Sequence, residues 1–213
     1  MNKRQLIAGI LIVLGVAAAV FTARRHFTSA PMSQAPQVNL KAKGDMLAPV
    51  TVEVFSDFEC PACRAAVPEI EKILAAHPEK VRVLFFHFPL SAHRFSPLAH
   101  QAAECAARQG HFWPYHDKLY AKQSEWTVVA SPTELLLEYA RDQGMDLDRF
   151  AACLTNAEVA LSVQEDRRYG DALRVNSTPT FFINGERFVG GVELAKGGAE
   201  RIEKILGEKK TTG

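Results

Sequence analysis

A strand–helix–strand unit in the first half of the chain is the strongest constraint on the fold. Residues 51–55 alternate apolar and polar side chains, and residues 81–86 are apolar enough for a central strand. Between them, residues 61–76 predict a helix. A crossover through one helix joins parallel strands. The pattern therefore predicts an α/β fold whose sheet contains a parallel pair.

A block of helices follows this unit. Ser96-Pro97 predicts one helix start, with Ser96 as N-cap, and the capping box Ser131–Glu134 predicts another. These two helices should end at Gly110 and Gly144. Further helices are expected over about 112–123, 146–154 and 157–172. The middle of the chain is thus predicted to be all-helical.

Two short strands and a helix complete the pattern. Asn184-Gly185 lies between the apolar runs 180–183 and 187–189. An Asn-Gly pair in this setting is the strongest local signal for a β-hairpin. A last helix is expected over about 192–206. The element order is therefore βαβ, a helical block, then ββα.

The N-terminus differs in composition from the rest. An uncharged stretch of 18 residues, Leu6–Ala23, lies between Lys3-Arg4 and Arg24-Arg25. Its length is close to the lower limit of about 17 residues for a membrane span, and Ala17-Ala18-Ala19 resembles a signal-peptidase site. We interpret 1–25 as a transmembrane anchor, with a cleaved signal peptide as the alternative. Both readings predict export to a periplasmic or cell-surface location, with anchoring to the cytoplasmic membrane favoured.

The remaining chain divides into a linker and one domain. Residues 26–44 are rich in Ser, Pro, Gln and Ala and predict a linker, and residues 45–213 predict a single domain with a helical insertion over about 95–172. The whole chain carries +1, and the four basic residues before position 26 leave the rest at −3. This charge excludes the electrostatic footprint of a nucleic-acid-binding protein.

Chemistry is predicted at Cys60-Pro61-Ala62-Cys63, where the first strand meets its helix. Unpaired N–H groups and the positive end of the helix dipole stabilise a thiolate at a helix N-terminus. Pro61 suits the first helical position, which needs no donor. Two intervening residues place both sulfurs on one turn. We expect Cys60 to be the exposed attacking sulfur and Cys63 the shielded resolving one.

Two other interpretations of this motif compete with a redox pair. Half of a zinc site is one, but a second C-x-x-C is absent, and the histidines do not fall at ligand spacing. A purely structural disulfide is the other, but a two-residue loop closes almost no chain. No metal and no bound cofactor are expected.

Two segments together resemble the DsbA-like branch of the thioredoxin superfamily. They are residues 55–63, FSDFECPAC, and residues 177–185, STPTFFING, on either side of the helical block. The resemblance covers about residues 45–207. It implies a thioredoxin fold with the block as a lid, and a nucleophile at Cys60. It also implies a cis peptide at Thr178–Pro179, where the backbone before the proline pairs with an extended substrate.

One motif position departs from the family. Strongly oxidising members carry His where this chain has Ala62. An imidazole at this position stabilises the thiolate of the first Cys, and a more stable reduced form makes a stronger oxidant. Pro61 and Ala62 are therefore the positions expected to tune the redox potential. We expect a milder oxidant than the strongest members.

The remaining cysteines, acids and histidines lead to weaker predictions. Cys105 and Cys153 are both in the helical block of an exported chain, so a structural disulfide is favoured over two free buried thiols. Asp57 and Glu59 are expected to be solvated acids, with proton transfer by one of them during thiol exchange as the alternative. The sequence suggests no role for His87 or His93.

The predicted function is a monomeric, extracytoplasmic thiol–disulfide oxidoreductase that introduces disulfides into cysteine-containing exported proteins. A quinone-linked membrane oxidase would reoxidise it, an expectation that comes from the resemblance. A disulfide reductase fed by a membrane electron donor and a disulfide isomerase are alternatives on the same fold. A non-catalytic binding or chaperone module is the alternative of another class.

Overall fold

One mixed sheet organises the chain in the computed structural model, which describes residues 40–210. Its order is β1-β3-β2-β4-β5. The strands are β1 (Ala42–Lys43), β2 (Val50–Ser56), β3 (Val81–His87), β4 (Thr180–Ile183) and β5 (Glu186–Val189). β2 and β3 are parallel, which confirms the predicted βαβ unit, and the other neighbouring pairs are antiparallel.

The predicted hairpin joins β4 to β5. Asn184 and Gly185 both have positive φ, 46° and 88°. Positive φ at both central residues is the requirement of the tight turn whose twist matches the flanking strands. The hairpin prediction is confirmed.

Helices surround the sheet and fill the insertion. α1 (Pro61–Ala76) is the crossover between β2 and β3. The insertion contains α2 (Ser96–Ala107), α3 (Phe112–Ala121), α4 (Gln123–Trp126), α5 (Thr133–Asp142), α6 (Leu147–Leu154) and α7 (Ala157–Ala172). The helix expected over 192–206 is divided into α8 (Gly190–Glu193), a π-turn at Leu194–Gly198 and α9 (Ala199–Lys210).

Two helix starts differ from the sequence prediction. α2 begins at Ser96 itself with Phe95 as N-cap, and the Ser96 hydroxyl donates instead to Asp57 Oδ1 at 2.7 Å. The capping box at 131–134 does not form, because α5 begins at Thr133 and no side chain caps it. By donating to a buried carboxylate, the Ser96 hydroxyl makes a charge-assisted hydrogen bond, which is stronger than the neutral bond that an N-cap hydroxyl accepts from a helix amide.

The predicted linker is shorter than expected. Residues 42–43, assigned to it, pair with Leu84 and Val83 on the open edge of β3, where they cover unpaired backbone groups. The anchor or signal segment at 1–25 lies outside the described residues. In residues 40–210, none of the helices combines the length and apolar character that a bilayer crossing requires.

Both faces of the sheet are buried, and the C-terminal end of β2 leads to the Cys60–Cys63 motif. Val52 and Val54 belong to the main core, whereas Phe55 packs on the other face with Phe88 and Phe182. Burial on both faces explains why β3 is nearly continuously apolar, and why Val54 and Phe55 of β2 are both apolar although they pack on opposite faces. Because β2 is held between two neighbours, its C-terminal end presents residues 57–60 at a well-defined place.

Candidate active site

The two cysteines lie at the N-terminus of α1. Cys60 is the N-cap residue, with φ −75° and ψ 120°, and Pro61 occupies the first helical position. Both are free thiols in this structure. Cys60 is 7% exposed and Cys63 is 2% exposed. Both cysteines are buried, so Cys60 is the less buried of the two rather than the exposed residue that the sequence predicted.

The surroundings separate the two thiols electrostatically. A hydrogen bond from Cys63 lowers the pKa of Cys60 to about 5, with further contributions from Thr178 and the helix amides, against the opposing effect of burial. Burial raises the pKa of Cys63 well above its ordinary value, and its interaction with Cys60 raises it further. One sulfur can therefore be a thiolate at neutral pH while the other stays protonated.

The second family segment meets the cysteines in space. The Thr178–Pro179 peptide bond is cis, as the resemblance implies. The Cys60 thiol donates to the Thr178 carbonyl oxygen at 3.6 Å, although the two residues are 118 positions apart. The fold thus brings together Cys60, Cys63, Thr178 and Pro179, which the sequence places in separate segments.

An open groove runs beside the motif along α1. Its volume is about 400 Å³, and Ala62, Ala66, Val192 and Lys196 are among the residues that line it. Val192 is 71% exposed. Ala62 is thus not only a motif position but part of a mostly apolar surface next to Cys60.

Asp57 is fully buried, so the prediction of a solvated acid was wrong. Its carboxylate accepts hydrogen bonds from the Leu90 amide and the Ser96 hydroxyl, both at 2.7 Å. Burial raises its pKa, but interactions with His100, Leu90 and Ser96 outweigh that effect and hold the pKa well below its usual range. The same residue's amide donates to Cys63 Sγ at 3.4 Å. Asp57 therefore couples the resolving cysteine to the buried polar interior.

Glu59 is only partly exposed, which also differs from the expectation. Its carboxylate accepts the Phe95 amide at 2.7 Å, next to the start of α2. Sequence alone offered no long-range partner for either acid, because the Leu90, Ser96 and Phe95 groups that bind them lie 33 to 39 residues away. A hydrophilic residue between two apolar ones, as in Phe58-Glu59-Cys60, is compatible with either surface or buried placement.

The helical insertion holds the loop before Cys60. Tyr120 Oη lies 2.8 Å from Ser56 Oγ and 3.3 Å from the Asp57 carbonyl. Gln123 Nε2 donates to the carbonyl oxygens of Phe58 and Cys60 at 2.8 and 3.0 Å. Sequence reasoning missed both residues. A buried Gln and a buried Tyr hydroxyl need partners, but only the fold shows which ones.

The other two cysteines form a disulfide within the insertion. The S–S distance between Cys105 on α2 and Cys153 on α6 is 2.03 Å. Cys105 is 1% exposed. In the part of the chain that the structure describes, no cluster of three or more His, Cys, Asp and Glu side chains is placed to hold a metal ion.

Comparisons with known proteins agree with this geometry. A family model described as "Thioredoxin" matches residues 39–204. Oxidised BdbD from Bacillus subtilis superposes with a TM-score of 0.70 at 26% identity, covering 78% of this chain and 92% of that one. Alpha-DsbA1 from Wolbachia pipientis superposes with a TM-score of 0.67 at 20% identity, covering 79% of this chain and 91% of that one. The latter likeness shows the fold alone.

Similarity also extends to one region of much longer proteins. "Na(+)/H(+) antiporter NhaA 3" of Salinispora tropica is 41% identical over 149 residues, which are 70% of this chain and 22% of the relative. The chain thus spans about a fifth of that relative's length. The name of that relative refers to its whole length, of which the matched region is only a part.

Proposed function

Because this chain belongs to the thioredoxin family, in its DsbA-like branch, and is a thiol–disulfide oxidoreductase, we propose that it oxidises cysteine-containing exported proteins. Exchange takes place at Cys60–Cys63, outside the cytoplasm.

One observation supports the oxidising direction: Cys60 lies at the N-terminus of α1, beside Cys63 and the helix amides, where its thiolate is stabilised. Its pKa is lowered from 9.0 to about 5. A stabilised thiolate favours the reduced form of the pair, so the Cys60–Cys63 disulfide is readily reduced and acts as an oxidant. Helix amides and the neighbouring thiol supply this stabilisation without a His at position 62.

The reaction follows from the difference between the two sulfurs. A substrate thiolate attacks Cys60 Sγ of the disulfide, the Cys60–Cys63 bond breaks, and Cys63 leaves with the bonding electrons. A second substrate thiolate then attacks the substrate sulfur of the mixed disulfide and releases Cys60 as a thiolate. Two electrons move from the substrate dithiol to Cys60 and Cys63, and the substrate gains one disulfide.

Substrate binding is assigned to the segment beside the sulfurs. Thr178 and Pro179 present backbone next to Cys60, where an extended peptide can pair with it. The groove lined by Ala62 and Val192 would accept apolar side chains of the same peptide. Pro61 and Ala62 set the potential by shaping the first turn of α1. No bound cofactor takes part.

The cellular setting is proposed from the family and the N-terminus. The apolar stretch at Leu6–Ala23 indicates export and favours a membrane anchor. A quinone-linked membrane oxidase would remove the two electrons from Cys60 and Cys63 after each turnover. We propose that the protein works as a monomer.

The decisive experiment is the reduction potential of Cys60–Cys63 in the full chain, equilibrated against glutathione buffers. We expect a value between about −120 and −180 mV, the range of disulfide donors. A value near about −270 mV, as in thioredoxin, would instead establish a reductase fed with electrons from the membrane.

Turnover distinguishes the remaining candidates. Full-length protein should oxidise a reduced, unfolded, cysteine-rich secreted protein, and Cys60→Ser should not. If Cys60→Ser keeps the full effect of the wild-type protein on this substrate, the protein is a binding or chaperone module. Activity on scrambled disulfides but not on reduced substrate would indicate an isomerase.

A further inference from the structure

The sulfur of Cys63 lies among hydrogen-bond donors from the residues that precede Cys60. The Asp57 amide donates to Cys63 Sγ at 3.4 Å. The hydroxyl of Ser56, the last residue of β2, is a second hydrogen-bond partner of the same sulfur. Ser56 is buried, and its Oγ lies 2.8 Å from Tyr120 Oη on α3. A strand end, a turn and a helix of the insertion therefore meet at one sulfur.

These donors face the sulfur that must leave during the exchange. When a substrate thiolate attacks Cys60 Sγ, the electrons of the Cys60–Cys63 bond pass to Cys63 Sγ. A buried charge is unfavourable unless hydrogen bonds compensate for the lost water. Burial raises the pKa of Cys63 well above its ordinary value, and the hydrogen bond with Ser56 acts in the opposite direction. The departing thiolate therefore needs donors that are already in place.

Tyr120 controls the direction in which the Ser56 hydroxyl donates. Burial raises the pKa of Tyr120 well above its ordinary value, so its hydroxyl stays protonated and can donate. Two acceptors are within reach, Ser56 Oγ at 2.8 Å and the Asp57 carbonyl oxygen at 3.3 Å. The first distance is typical of an O–H···O bond, whereas the second is longer than usual. When Tyr120 donates to Ser56 Oγ, the Ser56 proton is free to point at Cys63 Sγ.

This arrangement leaves no polar group without a partner. The Asp57 carbonyl oxygen also accepts the Cys60 amide at 3.1 Å, so it keeps a hydrogen bond when Tyr120 donates to Ser56. A hydroxyl that accepts one hydrogen bond becomes a stronger donor of the next. Only two hydroxyl protons rotate, and no heavy atom has to move. The two hydroxyls can therefore serve both the neutral and the charged sulfur.

We propose that Ser56 is a catalytic residue whose hydroxyl, together with the Asp57 amide, binds the Cys63 thiolate as the disulfide breaks. Tyr120 is a positioning residue, since it acts through Ser56. Two donors fixed around a developing negative charge are the arrangement that also stabilises oxyanions in other enzymes. This role rests on the proposed exchange at Cys60–Cys63 and adds to it the groups that stabilise the leaving sulfur.

The step is balanced in atoms and electrons. A bond forms between the substrate sulfur and Cys60 Sγ, the Cys60–Cys63 bond breaks, and its electron pair goes to Cys63 Sγ. The second substrate thiol then loses a proton and Cys63 gains one. The new substrate thiolate attacks the first substrate sulfur and releases Cys60 as a thiolate. Closure of the disulfide passes through the same transition state in reverse.

The test follows closure of the disulfide in reduced full-length protein mixed with oxidised glutathione at neutral pH. In the first phase Cys60 attacks glutathione and forms a mixed disulfide. In the second phase Cys63 attacks Cys60 Sγ and releases reduced glutathione. Acid quenching and mass spectrometry resolve the two phases. The equilibrium constant with glutathione, combined with the closure rate, gives the rate of opening.

We expect Ser56→Ala to slow closure and opening alike by about tenfold, because a hydrogen bond to a charged sulfur is lost in the shared transition state. The first phase should keep the wild-type rate, since Ser56 does not contact the Cys60 sulfur. The reduction potential should also stay near the wild-type value, because Cys63 carries no charge in either end state. A structural defect would not separate the two phases in this way.

Two tyrosines on α3 supply a matched pair of variants. Tyr120→Phe keeps the ring that packs on Phe58 but removes the hydroxyl, and it should slow closure by about threefold. Its effect should disappear in the Ser56→Ala background. Tyr115 is equally buried, but its hydroxyl donates to the Leu136 carbonyl oxygen at 2.8 Å. Tyr115→Phe should therefore keep both phases and the reduction potential.

Four results would overturn the role of Ser56. They are a wild-type closure rate in Ser56→Ala, an equal slowing of the first phase, a loss that appears in the potential rather than in the rates, and additive effects of the two substitutions. If Ser56→Ala does not fold, Tyr120→Phe carries the test. If the wild-type protein forms no mixed disulfide with glutathione, the proposed function fails together with this role. If the wild-type protein closes and every variant matches it, only the role of Ser56 fails.

Discussion

The two cysteine pairs show how the same side chain takes opposite roles in one domain. Cys60 and Cys63 are three positions apart at a helix N-terminus and are free thiols. Cys105 and Cys153 are 48 positions apart and are bridged between two helices of the insertion. The first pair closes almost no chain and is electrostatically uneven. The second closes a long loop.

Environment, not burial alone, separates reactive from structural cysteine. Cys63 and Cys105 are both almost fully buried, at 2% and 1% exposure. Cys63, however, has a neighbour whose thiolate is stabilised by helix amides, and its own sulfur accepts the Asp57 amide. A long loop makes a disulfide stabilising, whereas a polarised thiol pair makes it exchangeable.

The largest expected effect concerns the nucleophile. Cys60→Ser should abolish oxidation of a reduced substrate protein, because no other described sulfur has a lowered pKa. Cys63→Ala should instead accumulate a mixed disulfide, detectable by non-reducing electrophoresis and mass spectrometry. Normal turnover by Cys60→Ser would show that Cys60–Cys63 is not the reactive pair.

Removing the second pair should affect stability rather than exchange. Cys105→Ala/Cys153→Ala should lower the free energy of unfolding by about 4 kcal/mol, an upper figure from the chain-entropy model. Denaturant titration of the double variant measures this loss. The reduction potential of Cys60–Cys63 serves as the control and should stay unchanged. A large shift in that potential would mean that the two pairs are coupled.

The thiolate of Cys60 should make the stability of the reduced protein depend on pH. Its pKa is lowered from 9.0 to about 5 in the folded state. The resulting stabilisation is complete above about pH 9, declines as pH falls, and is lost below about pH 5. We expect it to reach roughly 2 to 3 kcal/mol after allowance for solvent screening.

The measurement compares unfolding of the reduced protein with that of Cys60→Ala at several pH values. Groups that do not interact with Cys60 are common to both proteins and cancel in the difference, whereas Cys63 loses the part of its raised pKa that Cys60 supplies. A difference that stays constant between about pH 5 and pH 9 would contradict a stabilised thiolate.

The smallest expected effect concerns Ala62, the position expected to tune the reduction potential. Ala62→His should raise the reduction potential by about 30 mV, which corresponds to about 1.4 kcal/mol for one added interaction with the Cys60 thiolate. Equilibration against glutathione buffers measures the reduction potential of the variant. Ala62→Gln adds bulk at the same place without a cationic ring, and should leave the potential near the wild-type value.

Much of the fold could be predicted from local patterns. The βαβ unit, the hairpin at Asn184-Gly185 and the helical insertion all depend on residues close together in sequence. The errors have a common cause: Ser96 was assigned to a helix cap and Asp57 to solvent, yet the two side chains bond to each other across 39 positions. Long-range partners outcompete local ones when burial removes water as an alternative.

Local sequence is enough to set the immediate environment of the redox motif. A Cys directly after a strand and at the start of a helix faces unpaired amides wherever the rest of the chain lies, because helix geometry within one turn sets that environment.

The wider surroundings of this motif depend on the tertiary structure. It placed Thr178 at Cys60, buried Asp57 under Cys63, and set His87 against His100. Desolvation and hydrogen bonding between distant segments act only after the core has formed, and they separate the pKa values of the two thiols.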